Sequence, residues 1–492
     1  MARRGGELVE EDDEYAKLVR RMNPPSVVID NDSCDSATVI RVDRVKKHGI
    51  LLEAVQVLVD LNLVITKAYI SSDGNWFMDV FNVTDQDGNK VQNKEVTDCI
   101  KKCLESEDYL VPPASAPAGG ADPSEETTCI ELTGTDRPGL LSEVCAVLAS
   151  LRCNIVNAEV WTHDRRAAAV IQITDEATGL PVRDGGRLSQ LQELLGNVMQ
   201  GDGDCGGGGD RKGSTAVSLG AGNAERRLHR LMLDDGDAGR CGEERGGVAA
   251  AKAKAKVVVM DCTERRYTVV ILRCRDRPRL LFDTLCALTD LHYVVFHGTV
   301  DAEGGSAKEA YQVYAITNPC SITTSLNIAQ NSPPSRRLWL QEYYVRHVDG
   351  HPVRCDAERL RLVRCLEAAV ERRASDGLEL EVKTEDRAGL LSEITRVFRE
   401  NSLSIIRAVI TTKDGEADDT FYVSDAYGNP VDGKAMETLG EQLGHAVLRV
   451  KSNSRAAIKR AEDGGGGGGA ASIIGNLLKG SFQGFRLIRS YS

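Results

Sequence analysis

The sequence lacks long apolar runs. None of its 492 residues lies in an unbroken apolar stretch of the roughly 18 residues that a transmembrane helix needs. It also lacks an excess of basic charge. Lys and Arg number 61 against 73 Asp and Glu, a formal net charge of −12, so the basic footprint of a general nucleic-acid binder is missing. Its start, Gly6-Glu7-Leu8-Val9-Glu10-Glu11-Asp12-Asp13-Glu14, is acidic and has no apolar core, so no secretory signal is expected there. No Cys-x-x-Cys pair occurs, although there are 14 cysteines. They stand singly in apolar segments, as Cys145 does, and read as reduced thiols of a cytosolic or nuclear protein rather than a disulfide framework. Cys99 and Cys103, one helical turn apart, have no two further ligands nearby to complete a metal site.

Signatures of catalysis are scarce too. Gly207 to Thr215 evokes a phosphate loop but lacks the Gly-Lys-Ser/Thr order and follows no strand. Asp85-Gln86-Asp87-Gly88-Asn89 evokes a calcium loop, but Val96 holds the twelfth position where Glu is required, so a hairpin turn is expected. There is no Gly-x-Ser-x-Gly elbow. The eight histidines are dispersed, with His48 in a turn and His347 and His351 flanking a hairpin. No cofactor is implied.

What the sequence does have is an internal repeat, which decides architecture before any other feature. Residues 130–143 end in Asp136-Arg137-Pro138-Gly139-Leu140-Leu141-Ser142-Glu143, and residues 380–393 end in Asp386-Arg387-Ala388-Gly389-Leu390-Leu391-Ser392-Glu393. Asp276-Arg277-Pro278-Arg279-Leu280-Leu281-Phe282-Asp283 is a further copy, and Lys46-Lys47-His48-Gly49-Ile50-Leu51-Leu52-Glu53 a looser one. We number the copies one to four in chain order.

Each turn follows a short β-branched run and opens an amphipathic helix. Leu140, Val144, Leu148 and Leu151 share one helical stripe, as do Leu390, Ile394, Val397 and Phe398, and both stripes are expected in the core. Two strands and a second helix come next, with room for a closing strand. That order is the ferredoxin-like βαββαβ pattern. The fold class expected is therefore α+β: four such modules paired side by side, with flexible linkers. The expected boundaries are an N-terminal extension at 1–35, modules at 36–110, 126–200, 266–372 and 378–451, a low-complexity linker with one short helix at 201–265, and a Gly-rich joint with a tail at 452–492.

The third copy carries an anomaly. Between Ala310-Tyr311-Gln312 and Glu342-Tyr343-Tyr344-Val345 lie Val313 to Gln341, rich in Ser, Asn, Thr and Pro. Deleting this segment would restore one continuous strand. Every Val codon begins with GT and one Gln codon ends in AG, so we read Val313–Gln341 as translated intron. A genuine loop of that length inside a compact module is uncommon. A peptide joining Gln312 to Glu342 in the source tissue would verify this, and peptides from inside the segment alone would refute it.

The turn has a plain structural reading. Asp is a good N-cap and Pro suits the first helical turn, and a structural turn would repeat as readily as a functional one. It also has a chemical reading. Backbone N–H groups at a helix N-terminus suit a carboxylate, Gly139 allows close approach, and the Asp136 carboxylate could take an ammonium group. Together these fit a zwitterion, a free α-amino acid. Asn154 and Ser404 open the second strand of copies two and four, where copies one and three have Val64 and Val294. Lys46 replaces the Asp in copy one. Arg279 replaces the Gly in copy three and should crowd the approach, so these two copies are expected to act as structural partners.

With its Asp-Arg-Pro-Gly-Leu-Leu turn, strict in copy two, the chain resembles the ACT-domain family, and more closely the plant ACT-domain-repeat (ACR) proteins. Glu14 to Pro25 resembles that family as well. The resemblance implies small regulatory modules that bind amino acids where two modules meet. By that resemblance the ligand residues are Asp136, Gly139, Leu140 and Asn154, with Asp386, Gly389, Leu390 and Ser404; Lys46 and Val64 do not match, and Asp276 only in part. It implies amino-acid sensing in the cytoplasm, with a metabolic enzyme or regulator as protein partner, and no nucleic-acid or membrane partner. Lys- and Arg-containing linkers leave nuclear entry open. ACT repeats also end bacterial uridylyltransferases, but only about 35 residues precede the first module, too few for a nucleotidyltransferase domain. The rival class is a scaffold whose modules have lost ligand and bind only protein.

Overall fold

The computed structural model describes residues 25–45, 48–73, 76–105, 127–200, 213–219, 223–234, 255–262, 265–275, 277–301, 338–373, 377–443 and 448–450. Lys46, Asp276, Gly206 to Gly209, residues 313–337, residues 464–469 and the C-terminal tail lie outside them. Sixteen strands and nine helices occur among the described residues. The chain divides into two units, one holding copies one and three, the other copies two and four.

The first unit contains strands β1 (Ser26–Asp30), β2 (Thr38–Val45), β3 (Val64–Asp73), β4 (Trp76–Thr84), β9 (Lys256–Cys262), β10 (Tyr267–Arg275), β11 (Tyr293–Asp301) and β12 (Leu338–His347). They form one antiparallel sheet in the order β1-β2-β4-β3-β11-β12-β10-β9. Its helices are α1 (Ile50–Asp60), α2 (Lys94–Glu105), α6 (Leu280–Asp290) and α7 (Asp356–Glu371). Copies one and three meet along β3 and β11, with Ser71 opposite His297 and Lys67 opposite Asp301.

The second unit repeats the plan. Strands β5 (Thr128–Thr135), β6 (Cys153–His163), β7 (Arg166–Asp175), β8 (Ser214–Leu219), β13 (Leu378–Glu385), β14 (Leu403–Lys413), β15 (Glu416–Asp425) and β16 (Leu448–Val450) run β16-β13-β15-β14-β6-β7-β5-β8. Helices α3 (Leu140–Ser150), α4 (Gly185–Gln200), α8 (Leu390–Glu400) and α9 (Gly433–Leu443) cover one face, and α5 (Ala224–Met232) lies on the other. The seam pairs β6 with β14, Val160 opposite Ala408 and Ala158 opposite Ile410. Pairing at the seam removes the open edge that each four-stranded sheet would otherwise present. The predicted stripes are buried except for Leu151, which is partly buried: Leu140, Val144, Leu148, Leu390, Ile394, Val397 and Phe398 share one core cluster that runs through both copies.

The fold class is α+β with ferredoxin-like modules, but the closing strand arrives from two directions. In copies two and four it follows the second helix, as β8 and β16, and pairs with the module's first strand. In copies one and three it precedes the module, as β1 and β9. The β-branched runs Val27-Val28-Ile29 and Val257-Val258-Val259 make good strands, although they fall in stretches read above as extension and linker. Leu338 to Gln341, the last residues of the suspected insert, open β12 and pair with β10.

The turn is built alike in each copy. Gly49, Gly139 and Gly389 stand at φ of 82°, 85° and 80°, a left-handed backbone that glycine adopts at little cost. The N-cap is thus the glycine, and no side chain caps the helix. This corrects the expectation of an Asp cap. Arg279 takes the same left-handed conformation at φ 64°. The turn arginine is a clamp: Arg137 pairs with Glu143 and donates to the Val198 carbonyl at 3.1 Å, and Arg277 pairs with Asp283 at 2.6 Å and donates to the Val370 carbonyl at 2.7 Å.

Candidate functional site

In the second unit two pockets sit beside the repeated turns, and each draws on both copies. The first, open to solvent, is lined by Asp136, Arg137, Gly139, Leu140 and Thr162, together with Thr395, Arg399, Ser404 and Ile405. The second, likewise open to solvent, is lined by Asp386, Arg387, Gly389, Leu390 and Thr412, together with Cys145, Ala149, Asn154 and Ile155. The two sets correspond residue by residue at a spacing of 250, the interval between Gly139 and Gly389.

The eight residues singled out from the sequence are therefore brought together crosswise. Asn154 faces the turn of copy four, and Ser404 faces the turn of copy two. The antiparallel seam causes this: pairing β6 with β14 carries the start of each strand beneath the other copy's turn. A second device places them. Pairing slips by one residue between Ile155 and Asn157 and between Ile405 and Arg407, and in the same place in β3 and β11. Such a bulge bends the strand and re-aims side chains. Nothing in the local sequence announces it.

The first turn of each helix borders its pocket: the Leu140 and Leu390 N–H groups donate to the Arg137 and Arg387 carbonyls at 3.1 and 3.0 Å, and those of Leu141, Ser142, Leu391 and Ser392 have no intrahelical acceptor. Burial pushes the Asp136 carboxyl up to about 6, against the pull of the Arg137 backbone N–H and guanidinium. Burial also raises Asp386, opposed by the Arg387 N–H.

The pockets differ in two places. A Cβ on Gly139 would meet Arg399 Cδ at 2.6 Å, whereas one on Gly389 would meet nothing within 4 Å. Arg399 corresponds to Ala149, so only the first turn is overlaid. The second difference is Asp419, buried at 2% exposure in the second pocket, where the first has Ala169. Sequence reasoning passed over both positions because each sits in an ordinary helix or strand pattern.

In the first unit a cavity of about 260 Å³ lies beside the copy-three turn, lined by Arg277, Arg279, Leu280, Val64, Thr66 and Trp339. Arg279 is itself part of the lining of this cavity.

Comparison with known proteins fits this architecture. A model described as the ACR family N-terminal ACT domain matches residues 33–111, and the ACT domain model matches 130–195 and 379–444. The chain is 49% identical over 483 residues to the ACT domain-containing protein ACR4 of Arabidopsis thaliana, covering 98% of each chain. The chain belongs to the ACR family of ACT-domain proteins. A second Arabidopsis thaliana relative, the ACT domain-containing protein ACR6, is 52% identical over 449 residues, covering 90% of this chain and 93% of that one. A bifunctional uridylyltransferase/uridylyl-removing enzyme of Bradyrhizobium diazoefficiens is 39% identical over 79 residues, 16% of this chain and 8% of that one. The likeness to the enzyme is thus confined to a module-sized stretch. Among the described residues no helix is long and apolar enough to cross a membrane, and no group of His, Cys, Asp or Glu is arranged to hold a metal.

Proposed function

We propose that this ACR protein is a non-catalytic regulator that binds free amino acids through paired ACT modules and reports amino-acid or nitrogen status to a protein partner in the cytoplasm. One observation carries the reading: in the second unit the turn of each copy opens onto a pocket completed by the polar strand start of the other, Asp386 and Gly389 with Asn154, and Asp136 with Ser404. Helix N–H groups suit the α-carboxylate, and Asp386 or Asp136 suits the α-ammonium. A ligand held by the turn of one copy and touched by the polar strand start of the other couples its occupancy to the seam, which is what a regulator needs.

Isothermal titration of the full chain against the common amino acids tests this. Saturable heat supports it, and a flat panel favours a scaffold that binds only protein. Arg399 over Gly139 favours the scaffold reading for the first pocket alone.

A further inference from the structure

The two pockets of the second unit are chemically unequal, and the inequality points to a ligand class. Asp419 is the deciding residue. It lies on β15, 2% exposed, and lines the pocket at Gly389. Its carboxylate accepts one hydrogen bond, from the Thr411 N–H at 3.3 Å. No cation pairs with it among the described residues.

The equivalent residue in copy one makes the point by contrast. Asp79 is buried at 3%, but the positive Arg44 stands close enough to favour its charge. The position of Arg44 in copy four is Thr384. A buried carboxylate without a countercharge is costly, and Asp419 shares its pocket with a second carboxylate, Asp386. A zwitterion has one ammonium to offer and leaves one of the two unbalanced.

We propose that the Gly389 pocket takes a dibasic amino acid, one that carries a second cationic group on its side chain, and that it is the ligand site of this unit. The proposal rests on the amino-acid reading above and deepens it. The ligand's α-carboxylate lies at the first turn of α8, and its two cationic groups balance Asp386 and Asp419. Ala149 keeps the approach to Gly389 clear, and Asn154 supplies a neutral polar contact from the other copy. The pocket at Gly139 has neither feature: Arg399 overlays its turn, and Ala169 replaces the buried carboxylate.

The proposal also fixes a pH dependence. Burial pushes Asp419 up to about 7, and the charges of Asp386 and Asp418 add to that rise. Asp418 is held by Lys383 at 3.1 Å. The other groups facing Asp419 are the Cys145 thiol on α3, raised by burial to about 12 and so neutral, and Arg387, which is paired with Glu393. A cationic ligand binds the ionised form, so its affinity rises as Asp419 loses its proton between pH 6 and 8.

The test is calorimetric titration of the full chain with L-lysine, L-arginine, L-leucine and L-glutamine at pH 6 and pH 8. The expected result is one site for lysine or arginine, at least tenfold tighter than leucine at pH 8 and weaker at pH 6. Asp419→Asn should lose that preference by about tenfold with no fall in melting temperature. Ala149→Arg, on an exposed helix position, should abolish binding. Saturable binding of leucine or glutamine that equals or exceeds lysine, or an unchanged lysine preference in Asp419→Asn, overturns the dibasic assignment and leaves amino-acid binding standing. No heat from any of the four, followed by none from the remaining common amino acids, overturns the amino-acid reading itself.

Discussion

Arg399 lies over Gly139: its Cδ is 2.6 Å from where a Cβ on that glycine would sit, and its Cγ 3.0 Å. The long alkyl stem takes the space through which a ligand would reach the backbone of the first turn. Arg399→Ala should open that pocket. In calorimetry with the amino acid panel, the variant should bind a second equivalent, one without the dibasic preference, because Ala169 offers no carboxylate there. Unchanged stoichiometry would show that the stem is not what closes the first pocket.

The helix of the long linker is tied down. Arg373 pairs with Glu225 at 2.6 Å with both side chains under a tenth exposed, and its guanidinium lies 5.0 Å from the centre of the Trp161 ring. Leu228, at 0% exposure, packs with Trp161, Ala168 and Val170 on the sheet face away from the core helices. Leu228→Ala should remove about 2–4 kcal/mol of packing. Because α5 is short, that loss should appear as local undocking, read as faster amide exchange in residues 224–232 with little change in β13 to β15. Equal acceleration in both would place α5 in the cooperative core.

Asp79 should set a pH dependence of stability. Burial, with a smaller push from Asp43, raises its carboxyl from 3.8 to about 7. The unfolded chain loses this proton near pH 4 and the folded chain near pH 7. The folded state is therefore favoured by this group at low pH, and the advantage drains away as pH rises from 4 to 7. About 3 pH units at about 1.4 kcal/mol each give a ceiling of roughly 4 kcal/mol. Asp79→Asn should match the parent in urea denaturation near pH 4 and exceed it at pH 8, by about 1–3 kcal/mol. A constant difference across that range would refute the burial argument.

The turn arginines should differ in weight. Arg387 and Glu393 pair at 60% and 41% side-chain exposure, Arg277 and Asp283 at 15% and 0%. Exposed pairs contribute about 0–1 kcal/mol, whereas removing one partner of a buried pair costs about 3–5 kcal/mol. Arg277→Ala should accordingly destabilise several-fold more than Arg387→Ala in denaturant titrations. Equal costs would mean that the carbonyl bonds of the clamp, not the charges, hold the turn.

The local parts of this fold could be read from the sequence because they obey local rules. Gly139 and Gly389 mark left-handed turns, and apolar stripes such as Leu140, Val144 and Leu148 mark buried helix faces. Asp85 and Asp425 mark tight turns, each accepting N–H bonds from residues two and four further on. Pairing was harder. That β6 chooses β14 depends on matching Val160 to Ala408 across half the chain, and no local window of sequence contains both. The crosswise grouping of Asn154 with Asp386 follows from that choice, so the residues that line the two pockets could be picked out singly and their partners across the seam could not. Asp419 was hidden by its surroundings, an exposed-looking Asp418-Asp419 pair whose second member turns inward.

The interleaving of copies has a consequence for synthesis. Ser71 on β3 finds its partner at His297, 226 residues later in the chain. At about 5–20 residues per second a ribosome needs roughly 10–45 s to cover that distance. For that time copy one exists with a bare strand edge, and copy two waits in the same way for copy four. Nascent chains are thus exposed to mispairing between unfinished neighbours on a polysome, a hazard set by the order in which the four copies emerge and absent from the finished molecule.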